Sequence, residues 1–231
     1  MQQAEVTLAE RKRQMEQRIA DACERAGRER DEVCMIAVTK YSSLQATIDI
    51  FELGVGDLGE SRWQEAKVKW ESLGQRPRWH FIGHLQTNKV KDVIGKFDLI
   101  HSLDRLSLAD ELQRKAEQLD LFVDCLVQVN ISGEESKYGL DPQEIVDFFE
   151  TLSTYSRINV RGLMTMAPYE APEAEVRRIF RELRRLRDAL NVNRAPDKRL
   201  YELSMGMSDD FEIAIEEGAT MVRLGSALMA D

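Results

Sequence analysis

The chain has 231 residues and a formal net charge of −9, from 41 acidic and 32 basic side chains, and 43% of it is hydrophobic. Nucleic-acid binding needs a concentrated positive surface, so nucleic acid is not expected as a partner. No stretch approaches about 20 consecutive apolar residues, and the first residues lack the basic and apolar regions of a signal peptide. We therefore expect a cytoplasmic protein without a membrane segment. Its three cysteines, Cys23, Cys34 and Cys125, lack metal-ligand spacing and are typical of reduced core residues.

The predicted elements begin with a helix over residues 4–26, where Leu8, Met15 and Ile19 fall on one face. Eight apolar runs of strand length follow, separated by helical patterns or turns. The candidate strands are residues 34–39, 56–58, 79–82, 99–102, 122–130, 160–164, 201–204 and 221–224. The intervening helices carry apolar residues at three- and four-residue steps, most clearly at 106–119 and 176–190.

Eight strands that alternate with helices predict an α/β protein with a single (β/α)8 TIM-type barrel, rather than an open doubly wound sheet. Nothing along the chain marks a domain boundary, so residues 1–231 are expected to form one domain. The extra N-terminal helix, within residues 1–30, would cap or flank the barrel.

Lys40 directly follows the first candidate strand and therefore lies at its carboxyl end. In a barrel this end carries the active site, and a desolvated lysine there has more free amine, which can form a Schiff base with an aldehyde. The alternative is a surface lysine at a strand end.

Two turns rich in small residues follow the last two candidate strands, at 204–210 and 223–227. The loops after strands seven and eight often bind phosphate in such barrels, although ordinary strand-to-helix turns would look similar. Together with Lys40 they indicate an aldehyde that also bears a phosphate. Pyridoxal 5′-phosphate (PLP) fits this description.

Seven ordered segments make the chain similar to the YggS/PROSC family of pyridoxal phosphate homeostasis proteins, which share the barrel of the alanine racemase N-terminal domain. The segments are IAVTK at 36–40, LGESRWQE at 58–65, WHFIGHLQTNK at 79–89, IHSLDR at 100–105, VNISGEESKYG at 129–139, RGLMTM at 161–166 and the final run at 203–230. They span the chain from the first strand to its end.

The resemblance implies that Lys40 holds PLP as a Schiff base and that Arg223 faces the pyridine nitrogen of the cofactor. A guanidinium stays charged and only donates hydrogen bonds. Arg223 would therefore keep that nitrogen unprotonated and weaken the ring as an electron sink.

Four residues near the end of the chain match the family's phosphate site. The resemblance places Ser204, Gly225 and Ser226 at the phosphate, with Gly206 as a backbone contributor. Ser61 stands where the family commonly has asparagine, so its shorter side chain leaves contact with the ring hydroxyl of the cofactor open.

Three further features keep two interpretations each. His80 either packs near the cofactor or is a core histidine, and the spacing of the three histidines makes a metal site improbable. The polar loop at 130–139 either faces the ligand or is an ordinary turn. Six arginines within 177–187 form either a solvated helix face or a docking surface for an acidic partner.

The resemblance favours a non-catalytic PLP-binding protein that regulates intracellular PLP and, through it, amino-acid and keto-acid balance. PLP-dependent apoenzymes are the expected partners, and a monomer is the expected state. No second, β-rich domain of the racemase kind fits before Asp231, so a racemase would lack its opposite acid/base group. A weak racemase-like enzyme and a cofactor-free barrel acting on a phosphorylated substrate are the alternatives.

Overall fold

The computed structural model describes residues 6–134 and 137–230 and shows one closed parallel β-barrel. The predicted fold class is thereby confirmed. Its eight strands lie in chain order, and the last pairs with the first. They are β1 (Cys34–Val38), β2 (Asp57–Glu60), β3 (Arg78–Phe81), β4 (Leu99–Leu103), β5 (Val123–Gln128), β6 (Ile158–Met164), β7 (Glu202–Ser204) and β8 (Met221–Leu224).

Nine α-helices occur within the described residues, and most of them follow a strand on the outside of the barrel. They are α1 (Leu8–Arg25), α2 (Leu44–Glu52), α3 (Trp63–Leu73), α4 (Val90–Val93), α5 (Leu106–Leu119), α6 (Ile145–Leu152), α7 (Glu173–Asn191), α8 (Phe211–Glu216) and α9 (Ser226–Met229). None of these helices is both long enough and apolar enough to cross a membrane.

The extra N-terminal helix predicted from the sequence is present as α1, which begins after Thr7. The Thr7 hydroxyl accepts a hydrogen bond from the backbone N–H of Glu10 at 3.2 Å, which satisfies one of the free donors of the first turn. The predicted helix residues 4 and 5 lie outside the described residues. The helix packs against α8 and α9, and Arg18 forms an ion pair with Glu212 of α8 at 3.1 Å.

Side chains from five strands fill the inside of the barrel. Ile36, Leu99, Leu126, Met164 and Met221 form a buried cluster of their own, separate from the larger core between the strands and the helices. Strands that are buried on both faces carry apolar residues without a period of two. This explains why the candidate strands are nearly continuous apolar runs.

Three arginines of the arginine-rich helix α7 contact one buried carboxylate. Arg177, Arg181 and Arg184 all lie within 4 Å of Glu217, whose side chain is only 5% exposed. Burial raises the pKa of this carboxyl, but hydrogen bonds from Arg181 and Arg177 lower it by more, so it stays ionised. These ion pairs neutralise part of the charge of the helix, which makes a docking surface for an acidic partner the less favoured of the two interpretations.

Candidate active site

Lys40 lies in the turn between β1 and α2, two residues after the last residue of β1. The backbone N–H of Ser42 closes this turn on the Thr39 carbonyl at 2.8 Å, and the Ser43 hydroxyl caps α2. Lys40 is partly exposed, and its amine lies 5.0 Å from the ring centroid of Tyr41, which is 87% exposed. The amine is therefore accessible at the carboxyl end of the barrel.

A buried ion pair holds the residue before Lys40 in place. Lys69 of α3 donates to the Thr39 carbonyl at 2.5 Å and to Glu60 Oε1 at 2.8 Å, and the Thr39 hydroxyl donates to the same carboxylate oxygen at 2.6 Å. The Lys69 and Glu60 side chains are 7% and 0% exposed. The sequence analysis did not single out this pair. Its only signal is that Lys69 falls three residues after Ala66 on the buried face of α3.

A cavity of about 550 Å³ opens beside Lys40, within the size range of small-molecule sites. Lys40 and Ser61 line it, together with Phe81, His84 and Tyr138. A side chain at Gly83 would approach the Ser61 carbonyl oxygen to 2.4 Å, so only glycine lets the two backbones lie this close. Two of the seven predicted site residues thus share one cavity.

The other five predicted site residues do not line this cavity and lie on β7, β8 and the turns after them. Gly225 lies against the end of β1, because a side chain there would contact Val38 Cβ at 3.7 Å. Ser226 is exposed at the start of α9. Nearby, the Ser208 hydroxyl accepts a hydrogen bond from the backbone N–H of Ala227 at 3.1 Å, which joins the two small-residue turns. The sequence analysis gave no role to Ser208.

Glycine is required at position 206 by the backbone conformation and by close packing. Its φ is +93°, and a side chain there would approach Ala214 Cβ to 2.6 Å and Phe211 Cα to 2.9 Å. Its carbonyl accepts a hydrogen bond from the backbone N–H of Arg223 at 3.0 Å. Gly206 therefore allows the turn after β7 to lie against α8 and to pair with β8.

Arg223 is 4% exposed and stretches across the barrel from β8. Its guanidinium donates to Ser204 Oγ at 2.6 Å and to the Thr165 carbonyl at 3.0 Å. Burial lowers the pKa of Arg223 to about 10, and the charge of Asp210 opposes this shift. The group therefore stays charged at neutral pH. These contacts use two of its five N–H groups.

A chain of buried side chains continues from Ser204 through the barrel. Ser204 Oγ lies 2.9 Å from His101 Nδ1, and His101 Nε2 lies 2.9 Å from His80 Nδ1. His80 Nε2 lies 2.8 Å from Asp57 Oδ1, at the amino end of β2. Both histidines are fully buried. No group of three or more potential metal ligands occurs in the described part of the chain. Both ring nitrogens of His80 are engaged by buried or half-buried side chains, as in a core histidine.

Hydrogen bonds of Asn130 organise the first part of the loop at 130–139, within the described residues. The Asn130 side chain donates to the Glu134 carbonyl at 2.9 Å and accepts from the Ser132 hydroxyl at 3.0 Å. At its far end, Tyr138 stacks on His84 with ring centroids 3.9 Å apart and thereby forms one wall of the cavity. Asn130 thus shapes the loop, and Tyr138 contributes to the cavity.

These groups fit a ligand that carries an aldehyde, an aromatic ring nitrogen and a phosphate. Lys40 offers an accessible amine, and Arg223 offers a buried cation whose hydrogen-bond partners, Ser204 and Thr165, are neutral. Gly225 lies beside Val38, two residues before Lys40, and the Gly206 carbonyl accepts a hydrogen bond from the backbone of Arg223. PLP has the three groups that such a site requires.

The fold is that of a known class of barrel. The sequence profile of the family described as "Alanine racemase, N-terminal domain" matches residues 12–231. The chain therefore belongs to this family.

Its relatives narrow the class and confirm the resemblance that the sequence motifs carry. The chain is 44% identical over 227 residues to a pyridoxal phosphate homeostasis protein of Aquifex aeolicus, with 98% of this chain and 99% of that protein covered. A pyridoxal phosphate homeostasis protein of Pseudomonas aeruginosa is 40% identical over 225 residues, with 96% and 94% covered. The solved structure of PipY of Synechococcus elongatus with PLP bound is similar with a TM-score of 0.84 and 34% identity, over 97% of this chain and 100% of that one.

Proposed function

We propose that this chain binds PLP and acts in intracellular PLP homeostasis, and so in amino-acid and keto-acid balance, with the cofactor held as a Schiff base on Lys40. One observation carries the proposal. Strands β1 and β8 pair directly, with Ile36 opposite Arg223, so the guanidinium lies on the strand next to the one that leads to Lys40. The PLP-bound PipY structure and the names of the relatives support the same ligand.

Each group at the site has a separate task in this proposal. PLP supplies an aldehyde, which condenses with a free amine. Lys40 provides that amine, while the contacts of Thr39 with Glu60 and Lys69 hold the turn that carries it. Arg223 donates to the ring nitrogen.

The remaining site residues border the cofactor in this proposal. Gly225 and Ser226 bind the phosphate, and Gly206 contributes through its backbone. Ser61 lines the cavity beside Lys40.

The proposed role is binding and release rather than catalysis. A guanidinium at the ring nitrogen weakens the electron sink on which PLP chemistry depends. The exposed Tyr41 beside Lys40 indicates that solvent reaches the amine, whereas catalytic sites commonly exclude water. The proposal includes PLP-dependent apoenzymes as recipients and a cytoplasmic monomer as the working form.

A titration with PLP tests the binding proposal. The absorbance of PLP is followed as wild type, Lys40→Ala and Lys89→Ala protein are added. Lys89 also lines the cavity and is the matched control. Wild type and Lys89→Ala should give the same Schiff-base band, and Lys40→Ala should give none. Equal bands for Lys40→Ala and wild type would contradict the assignment of Lys40.

A proton-exchange experiment tests the non-catalytic proposal. Amino acids are incubated in deuterated water with a high concentration of PLP-loaded protein, and exchange of the α-proton is followed by NMR. The proposal predicts exchange no faster than with free PLP. Exchange above that rate that disappears in Lys40→Ala would establish turnover and favour the racemase-like enzyme.

A further inference from the structure

We propose that Ser204, His101 and His80 are positioning residues for the Arg223 guanidinium, and that the Ser204 hydroxyl proton is committed to His101 instead of a phosphate. The inference deepens the proposed function and rests on it for the identity of the ligand. It changes the role that the resemblance implies for Ser204, because a hydroxyl with its proton committed elsewhere is not a phosphate donor.

The hydrogen-bonded side chains from Arg223 to Asp57 are buried along almost the whole length of the series. Ser204, His101 and His80 have no exposed surface, Arg223 is 4% exposed, and the Asp57 side chain is 21% exposed. Buried polar groups without a partner are costly, so the hydrogen atoms along this chain must match donors to acceptors. A charge lies at each end and two imidazole rings lie between them.

The carboxylate of Asp57 determines which ring nitrogen of His80 carries a hydrogen atom. Burial raises the pKa of Asp57, but its contacts with His80 at 2.8 Å and Arg78 at 3.5 Å lower it by more, so the group is ionised at neutral pH. A carboxylate only accepts hydrogen bonds. His80 Nε2, 2.8 Å away, therefore carries a hydrogen atom.

The remaining protons follow from neutral imidazoles, each of which has one donor and one acceptor nitrogen. His80 Nδ1 accepts from His101 Nε2, which leaves His101 Nδ1 as an acceptor for the Ser204 hydroxyl. Ser204 Oγ in turn accepts from Arg223. Every polar hydrogen between the guanidinium and the carboxylate then has an acceptor.

If His80 were cationic, the donors and acceptors of the two hydrogen bonds between His80 and Ser204 would be exchanged. His80 Nδ1 would then donate to His101 Nε2, and His101 Nδ1 would donate to Ser204 Oγ, which already accepts from Arg223. The Ser204 hydroxyl hydrogen would lose its acceptor in this chain, and a second cation would share the barrel interior with Arg223. Burial is the largest cause that lowers the pKa of His101 well below its ordinary value, so this ring stays neutral. The neutral arrangement is the one that satisfies all the groups.

It follows that different residues orient Arg223 and bind the phosphate. A hydroxyl has a single proton, so Ser204 cannot donate to His101 and to a phosphate at once. It orients one arm of the guanidinium, and the Thr165 carbonyl orients the other. Phosphate binding then depends on the exposed turn that contains Ser226.

Comparing PLP with pyridoxal, which has the same ring and aldehyde but no phosphate, separates the two roles of Ser204. Dissociation constants for both ligands are measured by absorbance on wild type, Ser204→Ala and Ser226→Ala. Loss of a hydrogen bond to a charged group predicts about tenfold weaker binding of both ligands to Ser204→Ala, with their ratio as in wild type. Ser226→Ala should weaken PLP alone.

Two results would overturn the inference. Ser204→Ala could weaken PLP and leave pyridoxal unchanged, which would make Ser204 a phosphate ligand. Alternatively, it could leave both affinities unchanged, which would mean that Arg223 does not need the contact. If wild type bound neither ligand, the proposed function would fail and the proton assignment would be judged by NMR alone.

The NMR measurement uses ¹⁵N-labelled protein without ligand, so it does not depend on the proposed function. His84→Gln removes the signals of the third histidine, which lies at the cavity wall. At neutral pH both remaining rings should be neutral and carry hydrogen on Nε2, and Ser204→Ala should shift the His101 Nδ1 resonance. A hydrogen on His101 Nδ1, or a doubly protonated His80, would refute the assignment.

Discussion

The buried pair of Lys69 and Glu60 behind Lys40 allows a strong prediction about stability. Lys69→Met keeps an unbranched side chain of similar length but removes the cation. Glu60 then keeps only the Thr39 hydroxyl, at 2.6 Å, as a partner. Its carboxylate is 0% exposed, so water cannot replace the ammonium group.

The expected loss in the free energy of unfolding is about 3–5 kcal/mol, because removal of one partner leaves an uncompensated buried charge. Lys67→Met, on the same helix, is the matched control. Lys67 lies 3.7 Å from Glu71, and both side chains are more than half exposed. An exposed pair of this kind contributes at most about 0.5 kcal/mol.

Urea unfolding followed by tryptophan fluorescence measures both variants, with free energies from linear extrapolation. A double variant, Glu60→Gln with Lys69→Met, separates charge from packing. It should recover part of the loss, because a neutral amide costs less to bury than a carboxylate. The reasoning fails if Lys69→Met loses no more than Lys67→Met, or if the added Glu60→Gln substitution increases the loss.

Three further predictions concern stability. Because burial holds the pKa of His101 below the ordinary value of 6.5, an unfolded chain takes up a proton that the folded chain does not. The contribution of His101 to the free energy of unfolding should therefore be complete above about pH 6.5 and should decrease as the pH falls below it. His101→Asn should reduce the slope of stability against pH by up to about 1.4 kcal/mol per pH unit between about pH 6.5 and 5. Equal slopes in urea titrations would contradict this. Gly206→Ala should cost about 1–3 kcal/mol, because of its positive φ and its contacts with α8, whereas Gly56→Ala, which meets no atom within 4 Å, should stay within about 0.5 kcal/mol. Equal melting temperatures for these two variants would refute the argument. Glu217→Gln should cost about 1–2 kcal/mol and the exposed Glu182→Gln less than about 0.5 kcal/mol in urea unfolding, and the reverse order would show that the α7 arginines do not need Glu217.

The sequence predicted the fold because most residues of the strands are buried, whichever face they lie on, and most strands are therefore largely apolar runs. The strand predicted at 122–130 is longer than β5, which ends at Gln128. Val129 and Asn130 continue the extended chain, but they pair with Leu140 in the loop rather than as part of the strand. Local composition cannot distinguish these two kinds of pairing.

The candidate site was predictable only in part. Lys40 and the turns with Gly225 and Ser226 follow strands directly, so their end of the barrel could be inferred from order along the chain. The hydrogen-bonded series of side chains from Ser204 to Asp57 could not be inferred in this way. Ser204 and His101 are separated by 103 residues, and their contact depends on the closure of the barrel.

The most direct test of the account is to reduce PLP-loaded protein with borohydride and to locate the modified lysine by peptide mapping. The account predicts a pyridoxyl group on Lys40 in wild type and none on any lysine of Lys40→Ala at the same PLP concentration. A wild-type protein modified mainly at another lysine, or not modified at all, would contradict the central claim that Lys40 holds the cofactor.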